Sequence, residues 1–314
     1  MACKRLATFG STLAALLLLP CIADAQDAQS PPPAAEEAPA DRDILVTGRL
    51  EEEPSRSEVS RQARAVTRPQ NMYHGPLARF EDRLCPGILG LKTDYAALMI
   101  DRIRYNAQGL DLWMADEESC TPNFIVAFVK DGQGQLAALE REHGYLFKGL
   151  SVTERKELLA ETGPARVWTT TEMRSRDGMP IPQAQGLTDP PVVSMWMAHS
   201  KIYLAVREDI TQVVVVFDMD QVPGKSLVQL ADYATMRGLA RTRPVEDDPT
   251  MDTILTLFHS DAPPAAMTEF DLAYLAALYD GIPNIAGITK LLGVNRQLRL
   301  QEAAETEAAG AGGE

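Results

Sequence analysis

The chain has 314 residues, 45% of them hydrophobic, and sets 44 acidic side chains against 30 lysines and arginines for a net charge of −14. That balance lacks the basic surface by which nucleic acid or an anionic bilayer is gripped, so those partners are excluded from expectation. The hydrophobic share is ample for a packed core, and no stretch beyond the N-terminus approaches the roughly 20 apolar residues that a transmembrane span needs.

In chain order, Lys4 and Arg5 precede an apolar run from Leu13 to Leu19, and Ala23-Asp24-Ala25 supplies small residues at a cleavage point. Residues 1–25 are therefore expected to be a secretory signal peptide cut after Ala25, with a periplasmic or secreted destination. Leu18-Leu19-Pro20-Cys21 resembles a bacterial lipoprotein site, which implies acylation of Cys21 as the alternative; Pro20 departs from that pattern. Loss of residues 1–25 leaves Cys85 and Cys120, an even pair that in an exported protein is expected to form one disulfide.

Residues 26–75 are expected to be disordered or linker, because the Pro, Ala, Gln and Glu that open them bury no core. Within them lies a short β-prone island, DILVTGR, from Asp43 to Arg49. It resembles the segment near the mature N-terminus of outer-membrane receptors from sphingomonad-type bacteria, where such sequences engage the energising TonB protein. The resemblance implies a periplasmic or outer-membrane protein partner through Asp43 to Arg49. The plain alternative is a stray strand that pairs with the domain or with a partner's sheet edge.

The globular domain is expected over 76–302. Thr93 is placed to cap a helix from Asp94 to Ala107 ended by Gly109, with Tyr95, Leu98, Met99 and Ile103 on its core face. A strand follows at Asn123–Lys130, then a helix at Gly132–Glu142. Ser151 and Glu154 have capping-box spacing for another helix, which stops at Gly163-Pro164. A strand is expected at Ala165–Met173, a Pro-rich loop at Gly178–Pro191 as the rim of any cleft, and a hairpin from Val192–Ala198 and Lys201–Val206. Met195, Trp196 and Met197 are candidate lining for an apolar pocket, with core packing as the plainer role. After the centre of the chain come an acidic loop at Val245–Pro249, a short helix at Met251–Phe258, a Thr268/Asp271-capped helix at Glu269–Tyr279 and a last helix at Ile285–Glu302. Residues 303–314 read as a mobile tail.

The centre is Thr211–Ala240. Val213 to Phe217 form an apolar, β-branched run that reads as a strand buried on both faces, ended by Asp218. Pro223 and Gly224 turn the chain, Ser226 caps, and Leu227, Leu230, Ala231, Ala234 and Leu239 give a helix with one apolar face. Gly224-Lys225-Ser226 resembles the end of a phosphate-binding P-loop, but the first glycine is replaced by Met219 and Pro223 removes a donor. VVVVFDMDQ resembles the first motif of haloacid-dehalogenase-type phosphatases, which implies Asp218 as nucleophile, Asp220 as acid/base, and magnesium. Gln221 and Val222 stand where that family has glycine and threonine, and Asp247 and Asp248 come too early to be its later acidic pair.

CPGILGL with Cys120, QLADYATMRGLA, ILTLF and TEFDLAYLAALYDG together resemble uncharacterised exported proteins of sphingomonad-type alphaproteobacteria, across most of 76–300. More distantly, their order looks like zincin-like proteobacterial exported proteins, but the HExxH motif is missing. The corresponding helix offers Gln229, Asp232, Tyr233 and Arg237, so the resemblance implies an inherited scaffold without the zinc site. His74, His143, His199 and His259 are too far apart for a local metal pair, and no cofactor or metal site is expected. The fold class expected is α+β: a mixed sheet with helices packed on it in a single domain, flanked by a disordered N-terminal segment and a C-terminal tail. Function is expected to be non-catalytic, as an exported binding or accessory protein; the alternative is a hydrolase, either a phosphatase using Asp218 and Asp220 or a degenerate zincin-like peptidase.

Overall fold

The apolar run at the centre of the chain becomes the middle of a four-stranded sheet. The structure is a computed structural model that describes residues 54–68, 72–117, 119–182, 188 and 199–311, with the side chains of Ala309 and Ala311 excepted. Strands β1 (Pro86–Leu89), β2 (Phe124–Val129), β3 (Ala165–Ser175) and β4 (Val206–Asp218) lie in the order β1-β2-β4-β3. β1, β2 and β4 are parallel, with Phe124 opposite Val213 and Val129 opposite Asp218. β3 runs antiparallel to β4, with a register shift between Thr170 and Thr171. With its helices this is an α+β fold on a mixed sheet.

β4 is buried on both faces, as five consecutive apolar residues require. Val213, Val215 and Phe217 enter the main core with Phe124, Val126 and the following helix. Val214 and Val216 point to a second, smaller core built from Leu136, Phe147, Leu158 and Trp168, in which Phe147 and Trp168 stack at 5.2 Å.

Among the described residues, seven α-helices accompany the sheet: α1 (Arg56–Val66), α2 (Thr93–Gln108), α3 (Gly132–Glu142), α4 (Val152–Ala160), α5 (Leu227–Leu239), α6 (Glu269–Tyr279) and α7 (Gly287–Ala311). Capping boxes at Ser151/Glu154, Ser226/Gln229 and Thr268/Asp271 start α4, α5 and α6 where the residue spacing places them. Cys85 and Cys120 form the disulfide, with their Cα atoms 6.1 Å apart, and join the entrance of β1 to the loop before β2. Residues 52–314 make one compact unit. Among the described residues, no helix is long and apolar enough to cross a membrane.

Several expectations are corrected. The charged segment before residue 76 is not all linker: Ser55 and Glu58 form a capping box for α1, which buries Val59, Ala63 and Val66 in the main core. α2 begins after Lys92, whose side chain makes no cap, and Thr93 is its first residue. Met99 and Ile103 face inward, but Tyr95 and Leu98 are exposed because the inner stripe continues to Asn106 and Ala107 instead. Lys201–Ala205 forms no strand, and Val206 already opens β4. Asn284 exchanges two backbone-directed hydrogen bonds with Leu204 and ties that segment to the turn before α7. The helix expected over Met251–Phe258 is a single 3-10 turn at Ile254–Thr256, and α7 continues through the low-complexity tail to Ala311. Asp43–Arg49, Val192–Ala198 with Met195, Trp196 and Met197, and most of the Pro-rich loop lie outside the described residues.

Candidate functional site

Asp218 ends β4 beside the end of β2, at the carboxyl edge of the parallel strands, where open α/β sheets commonly place ligands. Here that edge is closed by the protein itself. One carboxylate oxygen of Asp218 accepts from the Gly132 N–H at 3.0 Å and from the Gln221 amide at 3.1 Å; the other accepts from the Asp220 N–H at 3.1 Å. The acid therefore sits on the N-terminus of α3, a position that favours negative charge. Burial raises its pKa, but these donors, with the nearby Arg166, more than offset that and hold it below the ordinary aspartate value. A nucleophile needs a lone pair aimed at open space, and this one is 5% exposed with both oxygens engaged. Asp220 is exposed and lends only its backbone N–H. Asp247 and Asp248 are exposed in their loop. Arg166 is 1% exposed and donates to the Glu161 carbonyl, and the space beside it is so small that a Cβ on Gly132 would lie 2.4 Å from its Nη1.

The residues of α5 that correspond to zincin ligand positions are also committed to structure. Asp232 is fully buried and accepts from both Nε and Nη2 of Arg102 at 2.7 Å, from the Asn106 amide and from the Met267 N–H. Gln229 closes its own helix cap and donates to the Pro264 carbonyl. Arg237 donates to the Tyr233 hydroxyl at 2.6 Å and to the Thr242 carbonyl. The expectation of one apolar face on α5 is replaced by burial on all sides from Leu230 to Leu239, because α2, α6, the sheet and the Ile254–Thr256 turn enclose it. Among the described residues, no group of three or more His, Cys, Asp or Glu side chains is placed to hold a metal ion, and His74, His143, His199 and His259 are all exposed.

A different site emerges where α4, β3 and the exits of α1 and α5 meet. Thr67 bridges Thr242, and the Arg243 N–H donates to the Val66 carbonyl, so the two exits run side by side. This brings Arg68, Arg237, Arg241 and Arg243 around one pocket of about 330 Å³. Leu150, Leu158, Val167 and Trp168 form its apolar wall, and Glu154, Glu157 and Glu161 stand along α4 and its end. Arg241 adopts a left-handed backbone with φ 48° and is held by Glu208 at 2.7 Å and Glu154 at 3.1 Å. Arg68 is half-buried and forms neither an ion pair nor a hydrogen bond among the described residues. Desolvation, followed by repulsion from Arg237 and Arg241, holds its pKa below the ordinary arginine value.

Compared with known proteins, the chain matches no family model, no curated protein and no solved structure.

Sequence reasoning did not find the arginine pocket. Its one local trace is the run Arg237 to Arg243, three arginines in seven residues without an acidic neighbour, in a chain of net charge −14. Arg68 and Trp168 come from segments far away in sequence, so only the fold assembles them.

Proposed function

We propose that this is an exported protein of the periplasm that binds or assists, and that it does not catalyse a reaction with its aspartates. The observation that carries the reading is Asp218: the side chain that resembles a catalytic nucleophile is spent on holding α3 and the turn after β4. Both oxygens face fixed donors, so an attack on an external phosphorus or carbonyl would require that brace to break first.

Export rests on the signal-like residues 1–25, with maturation after Ala25 and Cys21 acylation as the lesser route. The Cys85–Cys120 bridge agrees with it, since disulfides persist in oxidising compartments. The island at Asp43–Arg49 is the proposed contact for a periplasmic or outer-membrane partner. In this reading the scaffold is shared with exported sphingomonad proteins and, more distantly, with zincin-like ones, and the zinc chemistry is gone from α5.

The test has two parts. Cell fractionation with N-terminal sequencing is expected to find the protein in the periplasm beginning at Gln26. Assays with p-nitrophenyl phosphate and with peptide substrates, each with Mg²⁺ or Zn²⁺ added, are expected to show no turnover. Metal-dependent turnover that disappears in Asp218→Asn would sink the proposal and make the protein a hydrolase.

A further inference from the structure

We infer that the pocket between α4, β3 and the exits of α1 and α5 is a binding site for a small organic anion, a carboxylate or phosphate ester carried on an apolar ring or chain. The inference rests on the reading of this protein as a binder and names what it binds.

The charge arrangement comes first. Arg241 is matched by Glu154 and Glu208, but Arg68, Arg237 and Arg243 have no carboxylate within ion-pair distance among the described residues. Arg237 is 2% exposed and spends Nε and Nη1 on the Thr242 carbonyl and the Tyr233 hydroxyl, which fixes the plane of its guanidinium. Among the described residues Arg68 makes no hydrogen bond with its guanidinium. Placing a half-buried, unpaired guanidinium beside two others costs free energy unless an anion arrives to share them. Glu154 and Glu157 attract Arg68 from across the pocket, yet among the described residues neither comes within ion-pair distance of it, and desolvation with repulsion from Arg237 and Arg241 outweighs their pull.

The shape comes second. The apolar lining includes Trp168, Leu158 and Leu150, part of the smaller core, with Trp168 held by its stacking on Phe147. A bare inorganic ion would leave this wall wet, whereas an anion with an apolar body covers it while its charged end meets the arginines. Guanidinium groups pair with carboxylate and phosphate oxygens through the same two-pronged geometry, so both head groups fit.

Among the described lining residues, the acids Glu154, Glu157 and Glu161 have no serine, cysteine or histidine beside them, and Glu154 is drawn to Ser151 and Arg241.

Isothermal titration of the purified full chain with phenyl phosphate, benzoate and inorganic phosphate tests the assignment. At least one of the two aromatic anions is expected to bind, and the stronger of them tells a phosphate ester from a carboxylate. Arg68→Gln is expected to weaken that binding by about 10- to 100-fold, the loss of charge-assisted hydrogen bonds. Arg68→Lys should fall between it and the wild type. Arg64→Gln, the same charge change at an exposed position on α1, should alter affinity less than about twofold. Arg68 has no partner to lose, so the unfolding midpoint of each Arg68 variant should stay at the wild-type value. The assignment is overturned by the absence of binding to all three probes at millimolar concentration, by equal losses in Arg68→Gln and Arg64→Gln, or by inorganic phosphate binding as tightly as phenyl phosphate. Silent probes without turnover sink the pocket and leave the non-catalytic reading standing; turnover in the Asp218-dependent assay sinks that reading whatever the probes do.

Discussion

Arg102 and Asp232 face each other as a two-pronged pair, Nε to Oδ1 and Nη2 to Oδ2, both at 2.7 Å. The pair joins α2 to α5, and Asp232 has no exposure to water at all. Hydrogen bonding to Asp232 holds the Arg102 pKa above its ordinary value. Asp232→Ala would orphan the Asn106 amide and the Met267 N–H as well as the guanidinium. Breaking such a pair from one side costs about 3–5 kcal/mol. Urea unfolding should show that loss; a change below about 1 kcal/mol would mean that the pair does not hold α2 and α5 together.

Asp271 supplies a pH dependence. Burial pushes its pKa up to about 6, despite hydrogen bonds from the Ile254 and Thr268 N–H groups and from the Thr253 and Thr268 hydroxyls. The folded state then binds a proton more tightly than the unfolded chain, whose aspartate titrates near 4. Its contribution to stability is fully present below about pH 4 and is lost as pH rises through about 6. Relative to Asp271→Asn, which does not titrate, the wild type should lose on the order of 2–3 kcal/mol between pH 4 and pH 7. Urea midpoints of both proteins at the two pH values check this; parallel pH curves would refute it.

Two glycine substitutions should act with opposite sign. A Cβ on Gly238 would meet Phe124 Cε2 at 2.4 Å and Val213 Cγ1 at 2.9 Å, because α5 lies directly on the sheet there. Gly238→Ala should destabilise by about 1–3 kcal/mol through overpacking. At Gly293, inside α7, the new methyl would find only Ala277 Cβ at an ordinary 3.5 Å. Gly293→Ala should stabilise by about 0.5–1 kcal/mol, since alanine orders a helix at lower entropy. Thermal melts of the two variants decide; a shift in the same direction for both would contradict the packing described.

The disulfide closes a separation of 35 residues. Replacing Cys85 and Cys120 together with alanine should lower stability by about 3–4 kcal/mol in the chain-entropy account. A reductant should produce the same shift in the wild type and none in the variant. A reductant effect that survives the double replacement would mean that the bridge is not its cause.

The parts of this fold that were legible in the sequence are those whose causes are local. Ser151 with Glu154 and Thr268 with Asp271 announce helix starts within four residues, because the cap is made by the residues themselves. Val213 to Phe217 announce a doubly covered strand, because β-branched residues in an unbroken run have few other uses. What was hidden depends on distant partners. α1 reads as charged linker, and only the spacing of Val59, Ala63 and Val66, together with the Ser55/Glu58 box, betrays a helix with one buried stripe. Tyr95 and Leu98 look like core but face outward, because the buried stripe of α2 runs through Met99, Ile103, Asn106 and Ala107, where Asn106 reaches Asp232. Asp218 carries a catalytic resemblance because ending a strand beside a helix start is a shared geometry; which task the carboxylate performs depends on Gly132, 86 positions earlier.

The strand order has a consequence for the life of the chain before it folds. β4 lies between β2 and β3, yet it is the last of the four strands to be synthesised. Among the described strands β3 pairs with β4 alone, and the smaller core around Trp168 needs Val216 from β4. Until residue 218 has left the ribosome, β1–β2 is the one pairing of the described sheet that can form, and the apolar segments that pack on β4 lack their central support. Late arrival of the central strand leaves the described sheet unfinished until more than two thirds of the chain has been made.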